Sequence, residues 1–386
     1  MVAGVKNVLI VGCGIGGLTA AVALARHGIH AEIIEIKPEP SVYGVGIIQP
    51  GNALRALNSL GLMQACLAAG FPIEKYRYFD AQEHLLATLD LLRIVDADTP
   101  ATNMIPRPAL HRILVEAARA SGVSMRFGLT LKSMTLDVGA ADVELTDGSR
   151  GRYDLVVGAD GIRSRVRGLL FGDIRPQFTG HGVWRFTTKR STQLDFQAMY
   201  MGVGLKAGLV PLTAETMYLL LVTNEPENRW MPADRLHLLL RDYLTPFGGM
   251  VAEARERLVN PKDVVYVPIE EVELAPPWHK GRAVLIGDAA HASSPHIAQG
   301  AAMAIEDAVV LAELAAMSGG DVETMLAAFE RRRYPRCKFV QELSRKLGID
   351  GNLTDAKLCR ERNERIRRDF ATPKPRPHEL TLSEPI

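Results

Sequence analysis

The sequence predicts an α/β fold: a Rossmann-like dinucleotide-binding domain, an antiparallel β-sheet domain inserted into it, and helices toward the C-terminal end. Three observations predict it. Residues 6–35 read in order as strand, glycine loop, helix, strand and acid. Two later apolar runs, Leu155-Val156-Val157 and Val284-Leu285-Ile286, each lead to an aspartate at their C-terminal end, Asp160 and Asp288. Between about 176 and 270 the texture changes to separated strand-like runs.

The first unit is the most explicit. Val8-Leu9-Ile10-Val11 is a short apolar run, readable as a buried strand. It enters Gly12-Cys13-Gly14-Ile15-Gly16-Gly17, with the spacing G-x-G-x-x-G. A helix over 18–26 is stopped by Gly28, and Ala31-Glu32-Ile33-Ile34 is a second strand ending at Glu35. Gly12 permits the tight turn, Gly14 lets a pyrophosphate approach the backbone, and Gly17 lets the helix pack closely on the strand. The helix N-terminus offers unpaired N–H groups to the phosphates. Glu35 lies 23 residues after Gly12, where a carboxylate accepts ribose hydroxyls. A plain glycine turn does not require all of these in order, so we read a dinucleotide site.

Further along, Gly44, Gly46 and Gly51 crowd one stretch. They imply either close approach to something flat or bulky, or a loop before a helix over 53–60. Residues 72–100 mix short strands with turns. Pro108 opens a helix that Ser121-Gly122 ends. Strands are expected at 124–127, 131–136, 142–145 and 153–157. In the inserted part, strands at 182–187, 197–201 and 216–222 are interrupted by one helix, 233–243. A helix runs over 301–317. The chain from 321 is helical and polar, and it fades after Thr372 into a Pro-rich end expected to be loosely held. The domains predicted are 1–71, 101–175 and 271–320 for the dinucleotide, 72–100 and 176–270 for the inserted sheet, and 321–386 for the helical segment.

At 386 residues the chain suits two intimately packed domains with room for a bulky cofactor. A net charge of +1 supplies no field for nucleic acid or membrane partners. The four cysteines lack CxxC spacing, which points to reduced thiols and a cytoplasmic protein, not disulfides or zinc. No apolar run is long enough to span a bilayer, and no cleavable signal is visible. His291 and His296 lie five apart, but no third ligand is spaced for a metal, so none is expected. Cys13 reads as a small buried residue rather than a redox group. The Arg-rich stretch 360–368 is interleaved with Glu361 and Glu364 and reads as a solvated helix face.

Two further constellations settle the resemblance. Gly158-Ala159-Asp160-Gly161 leads through Ser164 to Arg167, giving GADGxxSxxR. Gly287-Asp288-Ala289-Ala290-His291 gives GDAAH, followed by Ser294-Pro295-His296-Ile297-Ala298-Gln299-Gly300-Ala301. With GxGxxG these are the three fingerprints of the class A FAD-dependent aromatic hydroxylases, the p-hydroxybenzoate hydroxylase-like flavoprotein monooxygenases, which the chain closely resembles over roughly residues 6–320. The stretch from Gly44 to Asn52, with Asn58-Ser59-Leu60-Gly61-Leu62, is similar to the branch of salicylate hydroxylase, 3-hydroxybenzoate 6-hydroxylase and 6-hydroxynicotinate 3-monooxygenase.

The resemblance implies a GR2-type, p-hydroxybenzoate hydroxylase fold and a set of roles. Gly12, Gly14, Ile15, Gly16 and Gly17 hold the FAD pyrophosphate. Glu35, with Ile36 and Lys37, holds the adenosine ribose end. Arg107 contacts the ribityl-pyrophosphate region, and Leu131 meets the adenine by its backbone. Asp160 serves FAD and NAD(P)H binding, and Asp288 the ribityl chain. Pro295 lies beside the isoalloxazine, with the amides of Gly300 and Ala301 at its N1–C2 edge. One departure stands out: the branch often reads P-x-x-G-Q-G, and here Ala298 precedes Gln299.

The implied reaction is hydroxylation of a small aromatic or heteroaromatic substrate, phenolic or carboxylated, with FAD, NADH or NADPH, and O2, through a flavin C4a-hydroperoxide. Ring activation needs a base or a positive charge. His296 is the first candidate, against a backbone-bonded histidine. Tyr218 is a second catalytic candidate and Tyr200 a substrate contact, each against simple packing. Arg185 pairs a substrate carboxylate or is a solvated strand residue, and Gln49 reaches the substrate from the glycine-rich stretch. Alternatives are a larger or lipid-like substrate, a flavin-dependent halogenase or reductase, and a non-catalytic flavin-binding protein. No GWxWxIP signature of the halogenases is present. The amphipathic C-terminal helices suit a homodimer.

Overall fold

The computed structural model describes residues 4–41, 44–372 and 375–386. A six-stranded sheet forms one body. Its spatial order is His279–Lys280, Ala283–Leu285, Leu155–Gly158, Asn7–Val11, His30–Glu35 and Ser124–Phe127. All neighbours are parallel except the first pair. Val8, Leu9 and Ile10 are wholly buried, because helices cover this sheet and leave its strands no wet face. The helix Ile15–Arg26 is buried on most sides, since the helix Gly300–Met317 packs against it.

A seven-stranded sheet forms the second body. Its order is Val264–Glu271, Gln177–Lys189, Thr216–Asn224, Leu205–Pro211, Gln197–Met201, Lys75–Asp80 and Leu85–Asp90. Only the pair Gln197–Met201 with Lys75–Asp80 is parallel. Period-two alternation gives this sheet two different faces. Trp184, Phe186, Ala198, Tyr200, Leu219 and Leu221 enter one core, beneath the helices Leu236–Tyr243 and Gly249–Arg255. Val183, Arg185, Met199, Tyr218, Leu220 and Val222 face the other way.

Several local expectations are revised. The strand expected at 153–157 is two strands. Arg150–Tyr153 closes a three-stranded meander, and Leu155–Gly158 joins the parallel sheet. Between them, the Asp154 carboxylate accepts the backbone N–H of Lys6 and of Asn7, each at 2.9 Å. The strand Leu205–Pro211 and the helix Gly249–Arg255 were not foreseen. The chain end is not loose where described. His378 and Leu382 of the helix Pro377–Ser383 are buried. Arg55 donates to the carbonyls of Ser383 and Glu384 at 2.6 and 2.8 Å. Arg336 donates to the Leu382 carbonyl at 2.6 Å.

Candidate active site

A cavity of about 500 Å³ lies between the two bodies. Its first wall begins with the glycine loop. Gly12 has φ +110, and a Cβ there would stand 2.5 Å from the Ala159 carbonyl oxygen. A Cβ on Gly17 would stand 2.0 Å from the Gly12 oxygen, so strand and helix touch backbone to backbone. Gly14 differs, with nothing within 4 Å of its Cβ position. Gly14, Ile15 and Gly16 line the cavity, and the helix begins at Gly14 without a side-chain cap. Backbone N–H groups therefore face open space, the arrangement an anion needs.

The rest of this wall comes from distant segments. Arg107 starts the helix Arg107–Ala120, and its Nε is buried without a hydrogen-bond partner among the described residues. Burial lowers its pKa; Asp288 opposes this, and Arg185 adds to it. Asp288 is exposed into the cavity as the first residue of the short helix Asp288–His291, which follows the strand Ala283–Leu285. The turn Pro295–Ile297 leads through Ala298 into the 18-residue helix Gly300–Met317, whose N-terminus also lacks a side-chain cap. Pro295, His296, Gly300 and Ala301 all line the cavity. An unpartnered guanidinium nitrogen, open room over Gly14 and two uncapped helix N-termini fit a long, flat, anionic cofactor such as FAD.

Away from the cavity, the loop is tied to the second strand. Glu35 accepts the backbone N–H of Cys13 at 2.8 Å and of Lys37 at 3.0 Å. Ile36 is two-thirds exposed beside it. Burial, and then the charge of Glu35, push the Cys13 thiol up to about 12, so it is no nucleophile.

The second wall is the inward face of the seven-stranded sheet. Arg185 lies there with no hydrogen-bond or ion-pair partner for its side chain among the described residues. Burial lowers its pKa, with Tyr218 opposing. Burial pushes the Tyr218 phenol up to about 12, against the effect of Arg185. Aliphatic neighbours, including Leu220, Val222 and Ile269, make this wall a poor place for water.

Some predicted residues lie elsewhere. Tyr200 faces the opposite core, where its hydroxyl donates to Glu83; its neighbour Met199 is the one at the cavity. Gln49 is buried, and its Oε1 accepts from Asn103 Nδ2 at 2.8 Å. The Asp160 carboxylate accepts from Ser164 Oγ and from the N–H of Arg165 and Val166, so it is used in starting a helix, while Gly161 reaches the cavity. The Leu131 carbonyl already accepts from Arg165. His296 does reach the cavity, but burial, with the charges of Lys206 and His181, lowers it to about 2. Burial and these two charges favour its neutral form, which can hydrogen-bond within the cavity.

Other residues were missed. Lys206 lines the cavity as a buried ammonium, and Arg376, His378 and Glu379 of the chain end line it too. Asn52 donates to Gln299 Oε1 at 3.0 Å and to Glu306 Oε1 at 2.9 Å, tying the turn before Gly300 to the helix Gly51–Ser59. Arg333 binds Glu306 and Asp307 in the same buried network. His291 belongs to it through Asp307, as a structural residue.

Comparison with known proteins agrees with this geometry. A family model described as an FAD binding domain matches residues 6–344. YetM of Bacillus subtilis is 36% identical over 342 residues, covering 88% of this chain and 92% of that protein. The 3-hydroxybenzoate 6-hydroxylase 1 of Aquipseudomonas alcaligenes is 30% identical over 349 residues, 88% of each chain. The crystal structure of Klebsiella pneumoniae HpxO complexed with FAD and uric acid superposes with a TM-score of 0.85 at 25% identity, covering 94% of this chain and 93% of that one. The chain belongs to this FAD-binding family, in the aromatic-hydroxylase branch whose fingerprints it carries.

Proposed function

We propose that this FAD-dependent monooxygenase hydroxylates a small, anionic aromatic or heteroaromatic ring, with NADH or NADPH as reductant and O2 as oxidant. One observation carries the reading: a single cavity has the uncapped N–H groups and Arg107 on one wall and Arg185 with Tyr218 on the other. Gly14, Ile15, Gly16, Arg107, Asp288, Gly300 and Ala301 hold the flavin, and Glu35 fixes the loop at its ribose end. The flavin supplies hydride acceptance and O2 activation. The chain itself orients the ring, excludes water with its aliphatic wall, and holds negative charge on the ring with Arg185. Residues 1–71, 101–175 and 271–320 form the flavin-binding unit, and 72–100 with 176–270 the substrate unit. This reading is supported by the separate cores of the two sheets. No helix among the described residues is long and apolar enough to cross a membrane. A cytoplasmic homodimer completes the proposal.

The test is stopped-flow flavin absorbance with NADH and NADPH over hydroxybenzoates, anthranilate and hydroxypyridine carboxylates. One aromatic should strongly accelerate flavin reduction and leave as hydroxylated product. Absence of both effects across the panel would refute the small-aromatic reading.

A further inference from the structure

We propose that Lys206 and His296 form an anion pole of the substrate cavity. The Lys206 ammonium pairs with an oxyanion of the aromatic ring, and the His296 imidazole hydrogen-bonds beside it. This rests on the function proposed above.

Lys206 belongs to the strand Leu205–Pro211 and pairs across the sheet with Val222, which also faces the cavity. It is only 5% exposed. Its Nζ donates to the Leu347 carbonyl at 3.1 Å. No carboxylate lies within ion-pair distance of it among the described residues. This ammonium has one hydrogen-bond acceptor, near the C-terminal end of the helix Val322–Gly351, and Asp350 close enough to favour its charge but outside ion-pair reach; two N–H bonds are left to spare, and an anion in the cavity would complete them. The His296 ring nitrogens have no hydrogen-bond partner among the described residues, and the ring meets His181 edge-on at 6.3 Å.

The helix behind them is shaped for these two side chains. A Cβ on Gly351 would stand 2.6 Å from Lys206 Nζ, and one on Gly348 would stand 2.4 Å from His296 Nε2. Both glycines lie in the last turns of the helix Val322–Gly351, three residues apart and on one face. Helix glycines are unfavourable, yet here two of them make room for two polar groups of one cavity. That is a second observation, independent of charge.

The groups facing Lys206 are His181, His296, Asp350 and Arg362, with Glu271 facing His181. Burial dominates and lowers Lys206 to about 8; Asp350 opposes and Arg362 adds. Anion affinity therefore falls as pH rises through about 8, where the ammonium loses its proton.

The test titrates the flavin-loaded protein, without NAD(P)H, with 4-nitrobenzoate and with 4-nitrophenol. Flavin absorbance reports binding, and the band of 4-nitrophenol reports its ionisation. K206Q keeps a donor for Leu347 and removes the charge; K206M removes both. We expect wild type to bind at least one anion more weakly above pH 8. K206Q should weaken binding roughly thirtyfold or more and lose that pH dependence. Loss confined to 4-nitrobenzoate assigns the pole to a carboxylate, and loss confined to 4-nitrophenol assigns it to a ring oxide; either supports the proposal. Equal affinities in wild type and K206Q, or no binding of either anion to wild type, overturn it. Should both variants lose flavin, a wild-type 4-nitrobenzoate profile that stays flat from about pH 7 to about pH 10 overturns it. Binding of an unreacted anion does not depend on turnover, so this test and the flavin-reduction test fail separately.

Discussion

Glu35 accepts the Cys13 N–H at 2.8 Å, so the carboxylate at the end of the second strand is fastened to the glycine loop that borders the cavity. Glu35→Ala leaves the N–H groups of Cys13 and Lys37 without this acceptor. It should weaken FAD binding by about 1.5–3 kcal/mol, the usual cost of losing charged hydrogen bonds. Flavin fluorescence titration of the apoprotein measures this. An unchanged Kd would mean the carboxylate has no part in the site.

Gly14 and Gly17 separate ligand contact from packing. Gly14→Ala adds a methyl where nothing stands within 4 Å, and Gly17→Ala drives one onto the Gly12 carbonyl at 2.0 Å. The first should leave the Tm of apoprotein unchanged and weaken FAD binding. The second should destabilise the apoprotein by about 3 kcal/mol. Thermal unfolding and flavin titration of both variants check the pair, and a destabilised Gly14→Ala apoprotein would contradict the open approach.

The glycine loop, Asp288 and the turn 295–301 were legible because each is a local spacing rule. Lys206 was not. Which residues of an antiparallel strand face a cavity depends on pairing register, and a slip of one residue exchanges the faces. The same ambiguity placed Tyr200 at the cavity, where Met199 stands. The bonds from Asn52 to Gln299 and Glu306 join helices some 250 residues apart, and no short pattern records them.

Ala298 has φ +56, in the left-handed region, at the position where the branch often carries glycine. Its methyl is held there at a cost, so Ala298→Gly should leave stability unchanged or slightly raised. Ala298→Val should cost about 2 kcal/mol, because a β-branched side chain is strained in this region. Urea unfolding of both variants checks the order, and a strongly destabilised Ala298→Gly would show that the methyl packs productively.

His291 and Asp307 are buried 2.6 Å apart. Burial disfavours the imidazolium, but Cys337 and the Asp307 carboxylate outweigh it and raise His291 well above 6.5. A raised folded pKa stabilises fully below the unfolded value and loses that contribution as pH rises through the folded one. Asp307 shifts oppositely: burial works against it, yet His291 and Arg333 hold it at about 2. Its contribution is present above 3.8 and fades only as pH falls toward 2. The stability gap between wild type and H291Q should therefore be widest below pH 6.5 and narrow as pH rises. A urea series across that range measures the gap, and one that widens with pH would reverse the assignment.

The cavity draws its walls from Gly14 at one extreme and Leu382 at the other. During synthesis, a chain that has emerged only past its first glycine loop owns one edge of the cradle. Asp288 and Gly300 arrive almost three hundred residues later, and the helix Pro377–Ser383 later still. Flavin capture should thus wait for the segment that carries Asp288 and Gly300 rather than follow the first βαβ unit. Fragments released early by stalled translation would carry the fingerprint glycines and no yellow colour.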